Sequence, residues 1–332
     1  MAGKTALVTG GLGGLGRHLC KRIMENGWKL RILAHESRRY AGWFPSDAIT
    51  WGDVRDAGTY AHLLEEVDAV VHMAFVLPPT SEVQPWAWDV NVGGTRALVE
   101  ALEELNPTCR LVFPSTVLVY GVTRDEEPPV RVDHPLAPTC NYADHKVQCE
   151  ELIRRSKLRN WTILRVAAGI YLELQPSVGN LARLYEIPLD TRVEFVHPKD
   201  VATAMFHALD ADCTRETFNV GGGPRCQTLF REQVEKLLKV FHLRVPPERK
   251  FSTEPYPLDW YDTSLAQEVL QFQERDFNDH VADVKQVLGW KRRLYWLASP
   301  FSRLVVNFFI PGYKPLERCP PRPPFGNGQR QI

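Results

Sequence analysis

A glycine-rich turn near the amino terminus constrains the fold of this chain more than any other feature. The apolar run Thr5–Val8 leads into the turn Thr9–Gly16, and residues 17–24 have the pattern of a helix. Glycines at this spacing allow a tight strand-to-helix turn, close approach of the backbone to a pyrophosphate, and close packing of the helix on the strand. The free N–H groups at the start of the helix would bind the phosphates. The turn therefore predicts dinucleotide binding by Gly10, Gly11, Leu12, Gly13, Gly14, Leu15 and Gly16.

Composition and charge narrow the class of protein. A chain of 332 residues, 44% hydrophobic and 24% charged, can bury one large core or two smaller ones. Lys and Arg together equal Asp and Glu at 40 each, so we expect no nucleic-acid partner. The seven cysteines are scattered without zinc-like spacing, which favours reduced thiols and no bound metal. No signal peptide is expected ahead of the first strand, and the expected compartment is the cytoplasm.

Short apolar runs alternate with amphipathic stretches through the first half of the chain. Such alternation predicts parallel strands joined by right-handed helical crossovers. The fold class expected is therefore α/β, a doubly wound parallel (Rossmann) sheet with a smaller C-terminal substrate lobe. Predicted strands are Lys29–Ala34, Ile49–Gly52, Ala69–His72, Arg110–Pro114 and Trp161–Leu164, and the main predicted helices are Asn91–Glu104 and Tyr142–Ser156.

The alternation breaks after about residue 172, which suggests a domain boundary. We expect a dinucleotide-binding domain over residues 1–172, to which elements from about 192–210 return. Residues 173–313 would form the substrate-binding lobe, and residues 314–332 a Pro-rich tail. The apolar segment Leu294–Ile310 follows the basic residues 291–293. Peripheral membrane contact is one interpretation of this segment, but packing on the lobe or on a dimer partner is favoured over it.

Tyr142 and Lys146 stand at positions i and i+4, so on a helix they share a face. A nearby ammonium and a positively charged nicotinamide would lower the pKa of the phenol and let Tyr142 exchange a proton with a reacting hydroxyl. The alternative is an ordinary exposed pair. Upstream, Ser115 and Thr116 end a predicted strand, where they could bind a substrate oxygen or simply cap a turn.

In this order the motifs resemble those of the extended short-chain dehydrogenases/reductases, in the branch called the NAD-dependent epimerase/dehydratase family. Besides the glycine turn, Tyr142 and Lys146, the chain carries the family's acidic adenine contact, its H-x-A-A motif with Phe75 in place of the last alanine, its N-V-x-G-T motif and its S-[ST]-x-x-V-Y-G motif. These stand at Gly52–Asp56, His72–Phe75, Asn91–Thr95 and Ser115–Gly121. The match runs from residue 5 to about residue 225.

The resemblance implies a catalytic set and a cofactor-binding set. Thr116, assisted by Ser115, would orient the substrate oxygen, and Tyr142 would exchange the proton. Lys146 would lower the pKa of Tyr142 and hold the ribose of the cofactor. It also implies a homodimer formed by the helices at 91–104 and 142–155. The residues implied to contact the cofactor outside the glycine turn are Asp53, Val54, Ala74, Phe75, Asn91, Tyr142 and Lys146.

Two departures from the family pattern bear on the substrate. Family members that act on sugar nucleotides commonly carry an Asn and a Tyr-Gly-Pro after the sixth strand, whereas Leu164–Glu173 has neither, which argues against a nucleotide sugar. No Asp-Glu pair follows Thr116, which argues against a dehydratase.

The choice between NAD and NADP depends on the end of the second strand. Ser37, Arg38 and Arg39 favour the 2′-phosphate of NADP, with His35 nearby, whereas Glu36 could bind the ribose of NAD. We lean towards NADP. The function predicted is an NAD(P)-dependent oxidoreductase or epimerase that transfers hydride between nicotinamide C4 and a carbinol or carbonyl carbon of a small-molecule substrate. The alternatives are a non-catalytic NAD(P)-binding sensor or scaffold, and a membrane-peripheral dehydrogenase of sterol or lipid alcohols.

Overall fold

The computed structural model describes residues 3–36, 39–167, 184–291, 312–313, 315 and 318–322. Strands and helices are numbered here in chain order within those ranges. The strands are β1 Thr5–Thr9, β2 Lys29–Ala34, β3 Ile49–Trp51, β4 Ala69–His72, β5 Arg110–Thr116, β6 Trp161–Val166, β7 Arg192–Glu194, β8 Glu216–Val220 and β9 Gln227–Leu229. The helices are α1 Gly16–Glu25, α2 Ala61–Leu64, α3 Thr80–Val83, α4 Gly94–Leu105, α5 Asn141–Arg155, α6 Pro198–His207, α7 Phe230–Val240, α8 Ser264–Leu270 and α9 Phe277–Leu288.

Seven strands form one parallel sheet in the order β3-β2-β1-β4-β5-β6-β8. This confirms the predicted doubly wound Rossmann sheet. The strand order reverses between β1 and β4, which opens a crevice at the carboxyl ends of these strands. The glycine turn follows β1 directly, so it lies at that crevice.

Both faces of the sheet are covered, because the buried residues of each strand alternate between two cores. Ala6 and Val8 pack in the core that contains α1 and α6, whereas Leu7 packs in the core that contains α4 and α5. Neighbouring strands repeat this period of two. Phe113, the fourth residue of β5, faces α5. This contact places the end of β5 beside that helix.

The bounds of β5 and of α4 differ from the predicted ones. β5 continues past Pro114 to Thr116 and pairs there with the end of β6. A proline inside a sheet removes a ladder hydrogen bond, but β4 pairs with β5 only as far as Val112, so the missing bond is tolerated. The predicted helix that starts at Asn91 opens with a π-helical turn over Asp89–Gly93 before α4 begins.

The stretch predicted to return to the dinucleotide-binding domain, about 192–210, contains β7 and α6. β7 pairs antiparallel with β9 in a separate two-stranded sheet. α6 does pack on α1, and the later strand β8, predicted to belong to the lobe, pairs with β6 at the edge of the main sheet. Buried side chains from α7 and α9 belong to a separate core, namely Leu237, Val240, Phe277, Val281, Val284 and Leu288.

Two further sequence features can be compared with the structure. Each of the seven cysteines is a free thiol. In the part of the chain that the structure describes, no helix has the length and apolarity needed to cross a membrane. The apolar segment Leu294–Ile310 lies outside the described residues.

Candidate active site

The glycine turn is folded tightly against the chain that follows β4. Gly10 has a φ of +69°, and a Cβ added there would lie 2.9 Å from the backbone of Met73 and Ala74. A Cβ on Gly16 would lie 2.7 Å from the carbonyl oxygen of Gly10. Larger residues would push the turn away from this contact, so glycine is required at both positions.

The turn presents unpaired backbone N–H groups at the start of α1. Leu15 occupies the N-cap position, and no side chain caps the helix. The N–H groups of Gly14 and Leu15 find no hydrogen-bond partner among the described residues. Unpaired N–H groups at the positive end of a ten-residue helix fit a pyrophosphate. The side chain of Leu12 is buried, so any contact from the middle of the turn would come from the backbone.

A buried chain of hydrogen bonds holds the elements around this crevice. The Oγ1 atom of Thr9 accepts the N–H groups of Met73 and Ala74 at 3.0 Å each, so its own proton is donated to Nδ1 of His72, 2.8 Å away. His72 then carries its proton on Nε2 and donates it to Oγ1 of Thr95 at 2.9 Å. Burial lowers the pKa of His72 to about 3, which keeps the ring neutral. These hydrogen bonds fix the ends of β1 and β4 relative to α4.

Asn91 joins the loop after β4 to the helix that carries Tyr142. Its Oδ1 atom accepts the N–H of Val76 at 2.6 Å, and its Nδ2 atom donates to the carbonyl of Val76 and to Nδ1 of His145, both at 3.1 Å. Burial lowers the pKa of His145 to about 4, so the ring accepts this hydrogen bond in its neutral form. The side chain therefore has a structural role here, and its contact with the cofactor stays a prediction.

Lys146 is buried, with only 3% of its surface exposed. Its Nζ atom donates to the carbonyl oxygen of Pro114 at 2.6 Å, beyond the last residue of β5 that pairs with β4. Two aromatic rings cover the rest of the ammonium, with centroids 3.6 Å away for Phe75 and 4.4 Å away for Phe113. Burial lowers the pKa of Lys146 to about 7. The alternative of an ordinary exposed Tyr–Lys pair does not hold for this lysine.

Tyr142 lies one helical turn before Lys146 and packs edge-on against the ring of Phe75 at 5.7 Å between centroids. Burial raises the pKa of Tyr142, which is opposite to the direction predicted from the neighbouring ammonium. The reason is that the protein desolvates the phenolate more strongly than Lys146, whose Nζ lies 6.0 Å from the ring centroid, stabilises it. In these surroundings Tyr142 is a neutral phenol.

The two predicted hydroxyls at the end of β5 have different partners. Ser115 donates through Oγ to Oε1 of Glu150 at 2.5 Å. Glu150 is also held by Arg165 at 2.8 Å and Arg154 at 3.0 Å, and the pairing with Arg165 holds the pKa of this carboxyl below its usual range despite its burial. Thr116 accepts the N–H of Leu118 at 3.3 Å, and within the described residues its hydroxyl proton has no acceptor. Thr116 is therefore the better placed donor.

Asp53, the residue predicted to contact the adenine, is bound by Arg55. The guanidinium donates to both carboxylate oxygens, at 2.6 and 3.0 Å, and this hydrogen bonding lowers the pKa of Asp53. Nε2 of His35 lies 3.7 Å from the same carboxylate. The side chain of Val54 is buried in the core, so a cofactor contact from this residue would come from its backbone.

Among the basic residues at the end of β2, Arg39 is described, whereas Ser37 and Arg38 lie outside the described residues. The Arg39 guanidinium lies 5.2 Å from the ring centroid of Tyr40. Arg17 lies 4.4 Å from the same centroid and donates to the Tyr40 hydroxyl. Neither Arg17 nor Tyr40 was among the predicted site residues, although Arg17 is a basic residue directly after the last glycine of the turn.

The sheet order, the glycine turn and the buried Lys146 beside Tyr142 define a Rossmann-type nucleotide-binding protein. A family model described as the NAD dependent epimerase/dehydratase family matches residues 6–173, just over half of the chain. The chain therefore belongs to the NAD-dependent epimerase/dehydratase family, as predicted from its motifs.

Individual relatives are similar over different lengths. The UDP-glucose 4-epimerase of Streptomyces lividans is 35% identical over 159 residues, which cover 46% of this chain and 47% of that protein. The match to this relative thus spans about half the length of either chain. The UDP-glucose 4-epimerase of Streptococcus mutans is 25% identical over 330 residues, covering 86% of this chain and 91% of that protein.

Solved structures share the fold at lower identity. A UDP-glucose-4-epimerase from Stenotrophomonas maltophila, solved with bound NAD and formylated UDP-arabinopyranose, superposes with a TM-score of 0.69 at 22% identity and covers 89% of this chain and 100% of that one. A UDP-glucose 4-epimerase from Thermotoga maritima, solved with UDP-glucose, gives a TM-score of 0.68 at 20% identity, with coverage of 87% and 99%. At these identities the similarity supports the fold.

Proposed function

We propose that this protein is an NAD(P)-dependent enzyme that acts as an epimerase or an oxidoreductase on a carbinol or carbonyl carbon. The observation that carries the proposal is the buried Lys146, beside Tyr142 and the end of β5, in a crevice whose glycine turn presents free N–H groups. Burying an ammonium costs free energy of folding. Groups whose pKa is shifted by burial in this way cluster at functional sites.

The chemistry is divided between the cofactor and the side chains. A nicotinamide dinucleotide, when bound, supplies or accepts the hydride. Tyr142, held as a neutral phenol by burial, donates its proton to a substrate oxygen or recovers it. Thr116 donates a hydrogen bond to the same oxygen, and Lys146 provides positive charge beside the phenol. Ser115 acts indirectly in this scheme, because its proton is committed to Glu150.

The cofactor is an oxidised or reduced nicotinamide dinucleotide, and family membership supports NAD. A preference for NADP rests on Arg17 and Arg39, which place two guanidinium groups around Tyr40 just after β2. Guanidinium groups suit the recognition of a 2′-phosphate. The measurement that separates the two is the Kd of each dinucleotide at equal ionic strength.

Two classes of substrate are candidates, a UDP-sugar and a carbonyl or alcohol that is not a sugar nucleotide. The relatives in the comparison are named UDP-glucose 4-epimerases, so UDP-sugars are the first substrates to test. The departure at Leu164–Glu173, most of which lies outside the described residues, favours a carbonyl or alcohol substrate that is not a sugar nucleotide. A panel that contains UDP-glucose, UDP-N-acetylglucosamine, aldehydes, ketones and a sterol alcohol covers these alternatives.

Replacing Tyr142 tests the mechanism. We expect Tyr142→Phe to reduce turnover on any active substrate by about 10²- to 10⁴-fold, the usual contribution of general acid–base catalysis, while the Kd of the dinucleotide stays the same. Tyr313→Phe, in the C-terminal part of the chain, is the matched control and should keep full activity. Full turnover by Tyr142→Phe would refute the mechanism. Dinucleotide binding without turnover of any substrate would favour the sensor or scaffold alternative.

Assembly and location are proposals as well. A homodimer through α4 and α5 and a cytoplasmic location follow from the family resemblance, and light scattering in solution would measure the mass. Co-sedimentation with liposomes of the full chain and of a form truncated at Lys291 would test the membrane-peripheral alternative. If the full chain sediments with the liposomes and the truncated form does not, the membrane-peripheral alternative is favoured.

A further inference from the structure

The helix that carries Tyr142 and Lys146 begins without a local cap. The N-cap residue of α5 is Cys140, which has extended backbone angles of φ −144° and ψ 157°, and its side chain makes no capping hydrogen bond. A thiol is a weak acceptor compared with the oxygen of Ser, Thr, Asp or Asn. The first N–H groups of α5 therefore need a partner from another part of the chain.

Glu82, in the short helix α3, provides that partner. Its Oε2 atom accepts the N–H of Asn141 and its Oε1 atom accepts the N–H of Tyr142, both at 3.0 Å. Glu82 is only 4% exposed, so its charge must be compensated locally. The two N–H groups lie at the positive end of α5, and the guanidinium of Arg318 lies 3.7 Å from Oε2.

The two functional residues of α5 depend on this cap to different degrees. The first intrahelical bond of α5 runs from the N–H of Asp144 to the carbonyl of Cys140. Tyr142 precedes that donor, so its N–H group makes no intrahelical bond and donates to Glu82 instead. Lys146 lies a full turn inside the helix, and its side chain is held separately by Pro114.

From this geometry we infer that Glu82 is a positioning residue of the active site, whose carboxylate fixes the place of Tyr142 by binding the start of α5. The inference rests on the proposed function, in which Tyr142 exchanges the proton. Loss of the carboxylate would loosen the first turn of α5 without releasing Lys146. A displacement of about 1 Å at a reacting group can reduce turnover by about 10²-fold.

The carboxyl-terminal segment covers this junction. The carbonyl of Glu82 accepts the N–H of Cys319 at 2.8 Å, and Nδ2 of Asn141 donates to the carbonyl of Cys319 at 2.9 Å. Arg318 donates to the carbonyl of Thr139 at 2.5 Å. Residues 318–319 thus bind both α3 and the start of α5 and help to exclude water from the carboxylate.

A pair of substitutions separates positioning from general stability. Glu82→Gln keeps the size of the side chain but turns an amide N–H towards one of the two backbone donors. Cys140→Ser, which changes one atom, puts a good N-cap hydroxyl at a position whose extended backbone angles suit it. We expect Glu82→Gln to lower kcat by about 10- to 100-fold with the Kd of the dinucleotide unchanged. Adding Cys140→Ser should restore most of kcat, and Cys140→Ser alone should match the parent.

Amide hydrogen exchange of the peptide that spans residues 138–146 gives a readout that does not need activity. Glu82→Gln should speed exchange at Asn141 and Tyr142, and the double variant should slow it again. Glu248→Gln, which removes an exposed carboxylate far along the chain, is the matched control and should change neither readout.

The outcomes separate the two proposals. An unchanged kcat in Glu82→Gln, or a lowered kcat that stays low although Cys140→Ser restores the exchange rate, would overturn the positioning role. A fall in dinucleotide affinity equal to the fall in kcat would also overturn it. If the parent protein turns over no substrate, the proposed function fails. In that case, faster exchange in Glu82→Gln that is reversed by adding Cys140→Ser still supports the inference that Glu82 fixes the place of Tyr142. Unchanged exchange in Glu82→Gln contradicts that inference.

Discussion

The Nζ atom of Lys146 lies 3.6 Å from the centroid of the Phe75 ring. Phe75 replaces the last alanine of the H-x-A-A motif, so this contact distinguishes the chain from the family pattern. The ring contacts both members of the Tyr–Lys pair, since it also packs edge-on against Tyr142. The ring of Phe75 therefore covers one side of the ammonium.

Two substitutions at Phe75 should move the pKa of Lys146 in opposite directions. Phe75→Leu keeps water away but removes the aromatic face, worth about 0.5–2 kcal/mol to a nearby cation, so the pKa should fall below its value of about 7. Phe75→Ala should admit water to the ammonium and raise the pKa towards its usual value. NMR titration of lysine side chains labelled at Cε measures both. Shifts of the same sign in the two variants would contradict this account of the contact.

Burial of Lys146 should make stability rise with pH. Its pKa is about 7 in the folded protein and 10.5 as the ordinary value, so between these limits the unfolded chain binds the extra proton. The free energy of unfolding therefore increases as the pH rises through this window. Lys146→Met should remove that slope, and chemical denaturation at several pH values measures it. Lys21→Met, at an exposed lysine, is the control and should keep the slope. An unchanged slope in Lys146→Met would refute the prediction.

The two hydroxyls at the end of β5 should respond differently to removal. Ser115→Ala deletes a hydrogen bond to the charged Glu150 and should cost about 1.5–3 kcal/mol in the free energy of unfolding, with turnover of the folded enzyme largely kept. Thr116→Ala should mainly reduce turnover, by about 10-fold or more for one lost hydrogen-bond donor. Steady-state kinetics and denaturation, with Thr116→Ser as the hydroxyl-retaining control, compare the two. A larger loss of turnover in Ser115→Ala would reverse the assignment.

The guanidinium groups around Tyr40 should discriminate between the two dinucleotides. Arg39→Ala and Arg17→Ala should each weaken NADPH binding by about 10-fold, the value of one charge-assisted hydrogen bond, and leave NADH binding within about two-fold. Calorimetric titration measures both Kd values, and Lys21→Ala serves as a control on the same helix as Arg17. Equal losses for both ligands would show that these residues do not contact a 2′-phosphate.

Local features of the sequence were sufficient to predict the class of fold. Period-two alternation and glycine spacing depend on neighbours in the chain, so β1, β2, β4 and the turn after β1 lie where the pattern predicts them. The same holds for the shared helical face of Tyr142 and Lys146. The place of β8 in the main sheet was missed, because a five-residue strand carries no mark of which sheet it joins.

The features that determine the chemistry arise from contacts between distant segments. The burial of Lys146, the raised pKa of Tyr142 and the commitment of Ser115 to Glu150 require β5, α5 and the loop after β4 to meet. Glu82 caps α5 from 59 residues away in the chain. The sequence indicates the need for such a partner only through Cys140, an N-cap residue whose thiol is a weak acceptor. The sequence by itself determined the sheet and the position of the motifs, since local propensity and periodicity act over a few residues. The tertiary structure alone decided which groups are charged, paired or free, since desolvation and hydrogen bonding depend on what packs against each side chain.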